Sequence, residues 1–188
     1  MRFPHWDYFL ALDRDLDVVS RFIDFSDDNL HVYSTELTRL YLAIGSEIDV
    51  VAKQLTLRCD PTNDALNIDH YRSVIPVFYP HFCAFPVTVP RLEATIIPWA
   101  SWPAANPKWW KSYNNVKHRR HDHFREASLE NVIHAICALF TLLFYFYTEE
   151  FHNGRIIPFP LSISVSRDIG GCLTFGYDYH APDFPKKQ

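Results

Sequence analysis

Residues 132–147 read VIHAICALFTLLFYFY, and only His134 and Thr141 interrupt this apolar run. A helix that crosses a membrane needs about 20 consecutive apolar residues, and this run is several residues shorter. We therefore expect a helix buried in the core of a soluble protein, with a membrane helix as the alternative. Because the N-terminal residues also lack the apolar core of a signal peptide, we predict a cytoplasmic protein with no membrane partner.

Helical periodicity extends on both sides of this run. Residues 127–151 as a whole predict the final helix, with Ser128 as its N-cap. The clearest earlier pattern covers residues 32–59, where apolar side chains recur at three- and four-residue steps and Ser34 or Thr35 is the candidate N-cap. Similar spacing, or a proline in the first turn, predicts three more helices over residues 9–25, 68–82 and 108–123.

Two parts of the chain show extended patterning instead. Residues 85–102 combine several prolines with alternating apolar residues, which predicts extended chain or a short hairpin inserted between helices. Residues 156–179 alternate on both sides of a Gly-Gly turn and predict a C-terminal β-hairpin, followed by a loose tail over residues 181–188. We therefore predict one domain over residues 1–188. Its fold class is mainly α: a helical bundle of four to five helices with a short extended insertion and a C-terminal β-hairpin.

The charge distribution limits the classes of ligand. The net charge is -4, which argues against a broadly basic nucleic-acid binder and leaves only a local patch as an anion site. Residues 117–125 form such a patch, because their lysine and arginines face only one acid, Asp122. The four cysteines are scattered without a CxxC pair, and the chain has only five glycines. These features argue against a zinc ribbon or a glycine-rich phosphate loop, and we predict no cofactor.

The basic patch belongs to the segment YNNVKHRRHDH, residues 113–123. Interpreted as part of a nearly continuous helix over residues 109–134, the segment brings Asn114, Lys117 and His121 together at three- and four-residue steps. Lysine and arginine neutralise phosphate, and arginine does so through paired hydrogen bonds. Histidine transfers protons at neutral pH. The segment therefore carries the groups needed for metal-independent cleavage of RNA.

Two other interpretations of this segment stay open. Its three histidines and Asp122 have the chemistry of metal ligands, but on one straight helix His123 points away from the other two histidines. Because no HExxH spacing is present either, we predict no metal site. Alternatively, the polar groups are structural and pair with Glu36 and Glu47, which lie along one edge of the apolar stripe of the helix predicted over residues 32–59.

The run WWKSYNNVKHRR, residues 109–120, precedes Phe124, Ala127 and Asn131 at the head of an apolar helix. This arrangement resembles HEPN-like domains, the "higher eukaryote and prokaryote nucleotide-binding" helical bundles, over about residues 30–150. The resemblance implies four or five helices and a homodimer. Active members of the family resemble metal-independent endoribonucleases of toxin–antitoxin and phage-defence systems, so RNA or a nucleotide is the implied partner.

The catalytic motif of that family places a histidine downstream of an arginine, and this chain departs from it. Arg120-His121 begins the motif, but the positions where its histidine would follow, 125 to 127, hold Arg, Glu and Ala. The alternative function is therefore a noncatalytic interaction or dimerisation module with a degenerate site. Its partner surface would consist of four aromatic residues, Trp99, Trp102, Trp109 and Trp110.

The predicted site residues fall into three groups. The catalytic candidates are Arg120, His123, His118 and His121. The candidates for binding phosphate or RNA are Asn114, Lys117, Arg119 and Arg125. The supporting carboxylates are Glu36 and Glu47.

Overall fold

The computed structural model describes residues 2–165, and these are mainly helical with one small antiparallel sheet. The prediction of a mainly α fold is therefore confirmed. The α-helices within the described residues are α1 (Pro4–Val19), α2 (Thr35–Cys59), α3 (Ile68–Phe78), α4 (Lys108–His123), α5 (Leu129–Phe146) and α6 (Thr148–His152). These six exceed the predicted four to five, because non-helical geometry at Tyr147 divides the predicted final helix into α5 and α6. The strands within the same residues are β1 (Val87–Val89), β2 (Ala94–Ile96) and β3 (Ser164–Val165).

Helix α5 occupies the centre of the core. Every residue from 135 to 146 is buried, and α2 is the helix that packs against α5 most extensively. Among the described residues, α5 is also the one helix long and apolar enough to cross a membrane, but 89% of its residues are buried inside the protein. That degree of burial is the one expected of the core helix of a soluble protein, as the interrupted apolar run predicts.

Helix α2 begins where its N-cap predicts and supplies the second layer of the core. The hydroxyl of Ser34 accepts a hydrogen bond from the backbone N–H of Leu37 at 3.1 Å, which confirms Ser34 as the cap. Gly45 lies where α4 crosses α2. A Cβ at this position would clash with ring atoms of Tyr113. Because a glycine leaves this space open, the two helices approach closely here.

Several predicted helix ends are shifted by local chemistry. Helix α1 starts at Pro4, since proline suits the first turn, and not near residue 9. Helix α3 ends at Phe78 and not at Phe82, because Tyr79 precedes Pro80 and a residue before proline avoids helical geometry. Neither shift changes which elements form the core.

The extended insertion is confirmed as a hairpin. Strands β1 and β2 pair antiparallel with Val87 opposite Ile96. Strand β3 pairs with the other edge of β1, where Val165 lies opposite Val87. The described part of the predicted C-terminal hairpin therefore contributes only a two-residue strand, and that strand extends the sheet of the insertion. The predicted return strand and the tail over residues 181–188 lie outside the described residues.

One buried carboxylate attaches the segment before β3 to α1. Asp13 is 1% exposed. Its two carboxylate oxygens accept the backbone N–H groups of Leu161 at 2.6 Å and Ser162 at 3.0 Å. Burial raises the pKa of Asp13, while these backbone hydrogen bonds act in the opposite direction. The segment before β3 thus depends on a side chain almost 150 residues earlier in the chain.

The prediction of a nearly continuous helix over residues 109–134 is wrong. Arg119 has φ -141° and ψ 51°, so helical geometry breaks inside α4. A 3-10 turn covers Phe124–Glu126, and the Ser128 hydroxyl then caps α5 by accepting from the N–H of Asn131 at 3.4 Å. Two breaks therefore interrupt the segment, and side chains separated by three or four residues no longer share one face across them.

Candidate anion-binding site

The second half of α4 borders an open concavity of about 650 Å³. Four of the predicted site residues line it together with three apolar side chains: Lys117, His118, Arg120 and His121, with Leu42, Val116 and Phe124. Lys117 and His118 precede the break at Arg119, whereas Arg120 and His121 follow it. The site thus combines side chains from both parts of the broken helix.

The apolar part of the concavity is held by the core. Val116 is fully buried, and Leu42 reaches the site from α2. The ring of Phe124 contacts the ring of Tyr33 edge to face, with 5.5 Å between centroids. These contacts give the charged side chains a fixed apolar base at the surface of the protein.

The cations of the concavity are available to a ligand. All four lining cationic or imidazole residues are exposed. Within residues 2–165, the side chains of Lys117, His118 and Arg120 have no hydrogen bond or ion pair with another residue. The Lys117 ammonium lies 5.6 Å from the centroid of the Tyr113 ring. The Asp122 carboxylate lies 3.3 Å from Nε2 of His121, and within residues 2–165 it is the one acid that forms an ion pair with a lining residue of the concavity. Net positive charge therefore faces the opening.

His123 belongs to a different cluster. Its Nδ1 lies 2.6 Å from a carboxylate oxygen of Glu126. The side-chain amide of Asn115 donates to both oxygens of the same carboxylate, at 3.1 and 3.3 Å, and the amide of Asn131 donates to the Glu126 carbonyl at 2.9 Å. Glu126 thus connects α4 to the start of α5. His123 is engaged in that connection and does not line the concavity.

Hydrogen bonding controls the charge state of Glu126. Partial burial acts to raise the pKa of its carboxyl, but hydrogen bonds from Asn115, His123 and Ser112 outweigh burial and lower it. A carboxylate held in this way stabilises the turn between α4 and α5 only while it stays ionised.

We expect Glu126→Gln to make folding less sensitive to acid. The folded-state pKa of Glu126 lies below its ordinary value of 4.5. Its carboxylate therefore stabilises the folded state above that value, and this stabilisation is lost as the pH falls through the folded-state pKa. Urea unfolding of the wild type and the variant should show a stability difference at neutral pH that shrinks below about pH 4.5. A difference that does not change with pH, or a similar effect of Glu93→Gln at an exposed site, would contradict this account.

The remaining candidate cations and the amide lie around the concavity but not in its lining. Asn114 donates to the Trp110 carbonyl of its own helix at 2.9 Å. Arg119 is exposed at the break. The Arg125 guanidinium lies 5.9 Å from the centroid of the Tyr33 ring. Of these three residues, Arg119 and Arg125 add positive charge beside the site, whereas Asn114 satisfies a backbone carbonyl.

The predicted supporting carboxylates are engaged elsewhere. Glu36 binds Arg39 of its own helix, and Arg39 also binds Asp15 at 2.6 Å. Glu47 lies 2.6 Å from Nδ1 of His5, which joins α1 to α2. Neither carboxylate has an ion pair with a cation of α4 among the described residues. The concavity therefore keeps its positive charge.

The predicted aromatic partner surface is not available on the outside of the protein. Trp99 and Trp102 are 0% exposed, and Trp109 and Trp110 are 3% and 7% exposed. The indole N–H groups of Trp99 and Trp109 donate to the carbonyls of Ala138 and Pro98. The expectation that these rings form a partner or dimer surface is therefore wrong, because they fill the core.

Sequence reasoning missed Glu126 and the amide of Asn115. A weak signal for the first was present, since Glu126 lies three residues after His123 and side chains three apart are neighbours on a helix. It also missed the apolar base that Leu42 contributes, because that residue is 75 positions from Lys117 in the chain.

In residues 2–165, no three His, Cys, Asp or Glu side chains group closely enough to hold a metal ion.

Comparisons of the chain with protein-family models, curated proteins and solved structures give no match. The HEPN-like resemblance therefore stays a prediction, and the chemistry of the concavity is the remaining guide to function.

Proposed function

We propose that this protein is an HEPN-like RNA-binding protein that holds RNA phosphates in the concavity of α4. The observation that carries the proposal is the presence of Lys117 and Arg120, without ion-pair partners among the described residues, on one open surface. Unpaired cations over an apolar base attract phosphate, and arginine binds it through two parallel hydrogen bonds. The negative net charge of the chain restricts this attraction to the concavity.

The same surface supports metal-independent cleavage of the RNA. One imidazole removes the proton of a 2′-hydroxyl, whose oxygen attacks the adjacent phosphorus. The P–O5′ bond then breaks as the second imidazole donates a proton to the leaving 5′-oxygen. His118 and His121 are the two imidazoles that line the concavity, and Arg120 and Lys117 stabilise the charge that develops on the phosphate. The products are a 2′,3′-cyclic phosphate and a 5′-hydroxyl.

A noncatalytic module with a degenerate site is the second candidate. The contact between His123 and Glu126 favours this candidate. His123 is the histidine nearest to the position where the family motif ends, and this contact holds it outside the concavity. Homodimer formation, which the HEPN-like resemblance implies, belongs to both candidates. A cytoplasmic location also belongs to both, supported by the buried α5 and by cysteines that form no CxxC pair.

Incubation with a mixed RNA pool in EDTA separates the two candidates. We expect the wild type to produce 2′,3′-cyclic phosphate ends, and His118→Ala and His121→Ala to slow cleavage by about 100-fold or more, since each removes a proton-transfer group. His31→Ala is the matched control, because His31 is an exposed histidine that does not line the concavity. RNA binding without cleavage by the wild type would support the RNA-binding proposal and rule out the nuclease step, whereas the noncatalytic interaction module predicts neither. The absence of both binding and cleavage would overturn the proposal.

A further inference from the structure

A second, smaller cavity lies at the other end of α4. Its volume is about 190 Å³. It is bordered by the loop after β2, the first turn of α4 and the first two turns of α5. None of the residues of the larger concavity lines it, so any ligand here is independent of the proposed RNA site.

One wall of this cavity is apolar and rigid. Ile97, Pro98 and Trp109 contribute to it. Trp109 is 3% exposed, and its indole N–H donates to the Pro98 carbonyl at 2.9 Å. This hydrogen bond fixes the ring against the loop, so the wall is preformed and offers a surface for an aliphatic group.

The polar part of the lining includes two opposite charges and one imidazole, beside Ser101 and Asn131. Lys108, Glu130 and His134 line the cavity. Within the described residues, neither the ammonium of Lys108 nor the carboxylate of Glu130 has a hydrogen bond or ion pair. Both charges act on His134, whose pKa is lowered chiefly by burial. The imidazole is therefore neutral at pH 7 and presents one donor and one acceptor.

The volume limits the size of the ligand. Liquid water occupies about 30 Å³ per molecule, so the cavity corresponds to roughly six water molecules. Pockets for larger ligands such as nucleotides usually measure about 300–1,000 Å³. A cavity below that range favours a small bifunctional molecule over a nucleotide.

We propose that this cavity binds a free α-amino acid with a small aliphatic side chain. Its carboxylate pairs with Lys108 and its ammonium pairs with Glu130. Its side chain packs against the wall of Ile97 and Trp109. A ligand that carries both charges uses both unpaired groups at once, whereas a simple carboxylate or a simple amine leaves one charge of the cavity without a partner.

Isothermal titration calorimetry and the indole N–H signal of Trp109 in NMR spectra test this proposal with leucine as the probe. The two half-ligands are 4-methylpentanoate, which lacks the ammonium, and 3-methylbutylamine, which lacks the carboxylate. We expect saturable binding of leucine that shifts the Trp109 signal, and at least about tenfold weaker binding of each half-ligand. Lys108→Met and Glu130→Gln should each weaken leucine binding by about tenfold or more, while Lys111→Met at an exposed position outside the cavity should not.

The variants also identify which charge binds which end of the ligand. The Lys108→Met variant should bind leucine no more tightly than 3-methylbutylamine, because the ligand carboxylate has lost its partner. The Glu130→Gln variant should bind leucine no more tightly than 4-methylpentanoate, because the ligand ammonium has lost its partner. Absence of any saturable shift of Trp109 with leucine would overturn the proposal. Equal binding of leucine by the wild type and both variants would overturn it as well, since neither charge would then contact the ligand.

Discussion

Replacement of both Lys117 and Arg120 by alanine is expected to weaken the binding of single-stranded RNA by about 25-fold at about 0.1 M salt. Each phosphate contact with a single strand contributes a slope of about 0.7 to the dependence of log affinity on log salt. Over the decade from about 1 M to about 0.1 M salt, that slope raises the affinity roughly fivefold per contact. Both side chains line the concavity and neither has an ion-pair partner among the described residues. Their removal therefore costs RNA contacts without leaving a buried charge unpaired.

Fluorescence anisotropy with a labelled oligonucleotide measures this effect. Lys111→Ala is the matched control, because Lys111 is an exposed lysine on the same helix and does not line the concavity. We expect that variant to bind RNA like the wild type. If the control weakened binding as much as the double variant, the attraction would come from the general charge of α4 and not from the concavity.

Asp13→Ala is expected to cause the largest loss of stability, about 2–4 kcal/mol. The substitution leaves the buried backbone N–H of Ser162 and the part-buried backbone N–H of Leu161 without their acceptor, and a buried donor left unsatisfied costs about 1–3 kcal/mol. For a protein of this size, such a loss corresponds to a decrease in Tm of roughly 5–15 °C. Asp13→Asn retains one acceptor oxygen, so its effect should be smaller.

Thermal and urea unfolding followed by circular dichroism check this prediction. Asp7→Ala is the matched control, since Asp7 is exposed on the same helix, and it should change stability by no more than about 0.5 kcal/mol. An Asp13→Ala variant as stable as that control would show that the attachment of the segment before β3 to α1 contributes little to folding.

The elements with strong local patterns could be predicted from the sequence. The apolar run of residues 132–147 identified α5, and Ser34 together with the apolar stripe that follows it identified α2. The hairpin of β1 and β2 followed from its alternation and its prolines. In each case, the residues that determine the element lie within the element itself, so local propensity and burial agree.

The geometry of the candidate site could be predicted only in part. The charged segment itself was evident, and four of its residues do share one surface. The break at Arg119 was not evident, because neither glycine nor proline occurs there. A continuous helix would have placed His121 beside Asn114. With the break, His121 joins Arg120 at the concavity, and Asn114 bonds to its own helix.

Long-range pairing accounts for the other errors. The sequence alone allows Glu47 to pair with a cation of α4. In the structure Glu47 binds His5, which is 42 residues away in the chain. The four tryptophans within residues 99–110 were predicted to form an exposed aromatic surface. They lie in the core instead, because burial of large aromatic rings stabilises the fold. The pairing of Glu47 and the burial of the tryptophans both depend on which helices and loops pack together, and no local sequence pattern predicts that packing.

The salt dependence of RNA binding tests the central claim most directly. We predict that the slope of log affinity against log salt is smaller in magnitude by about 1.4 for the Lys117→Ala, Arg120→Ala double variant than for the wild type, because two phosphate contacts are removed. Equal slopes for the two proteins would contradict the account, since the unpaired cations of the concavity would then make no contact with RNA phosphate.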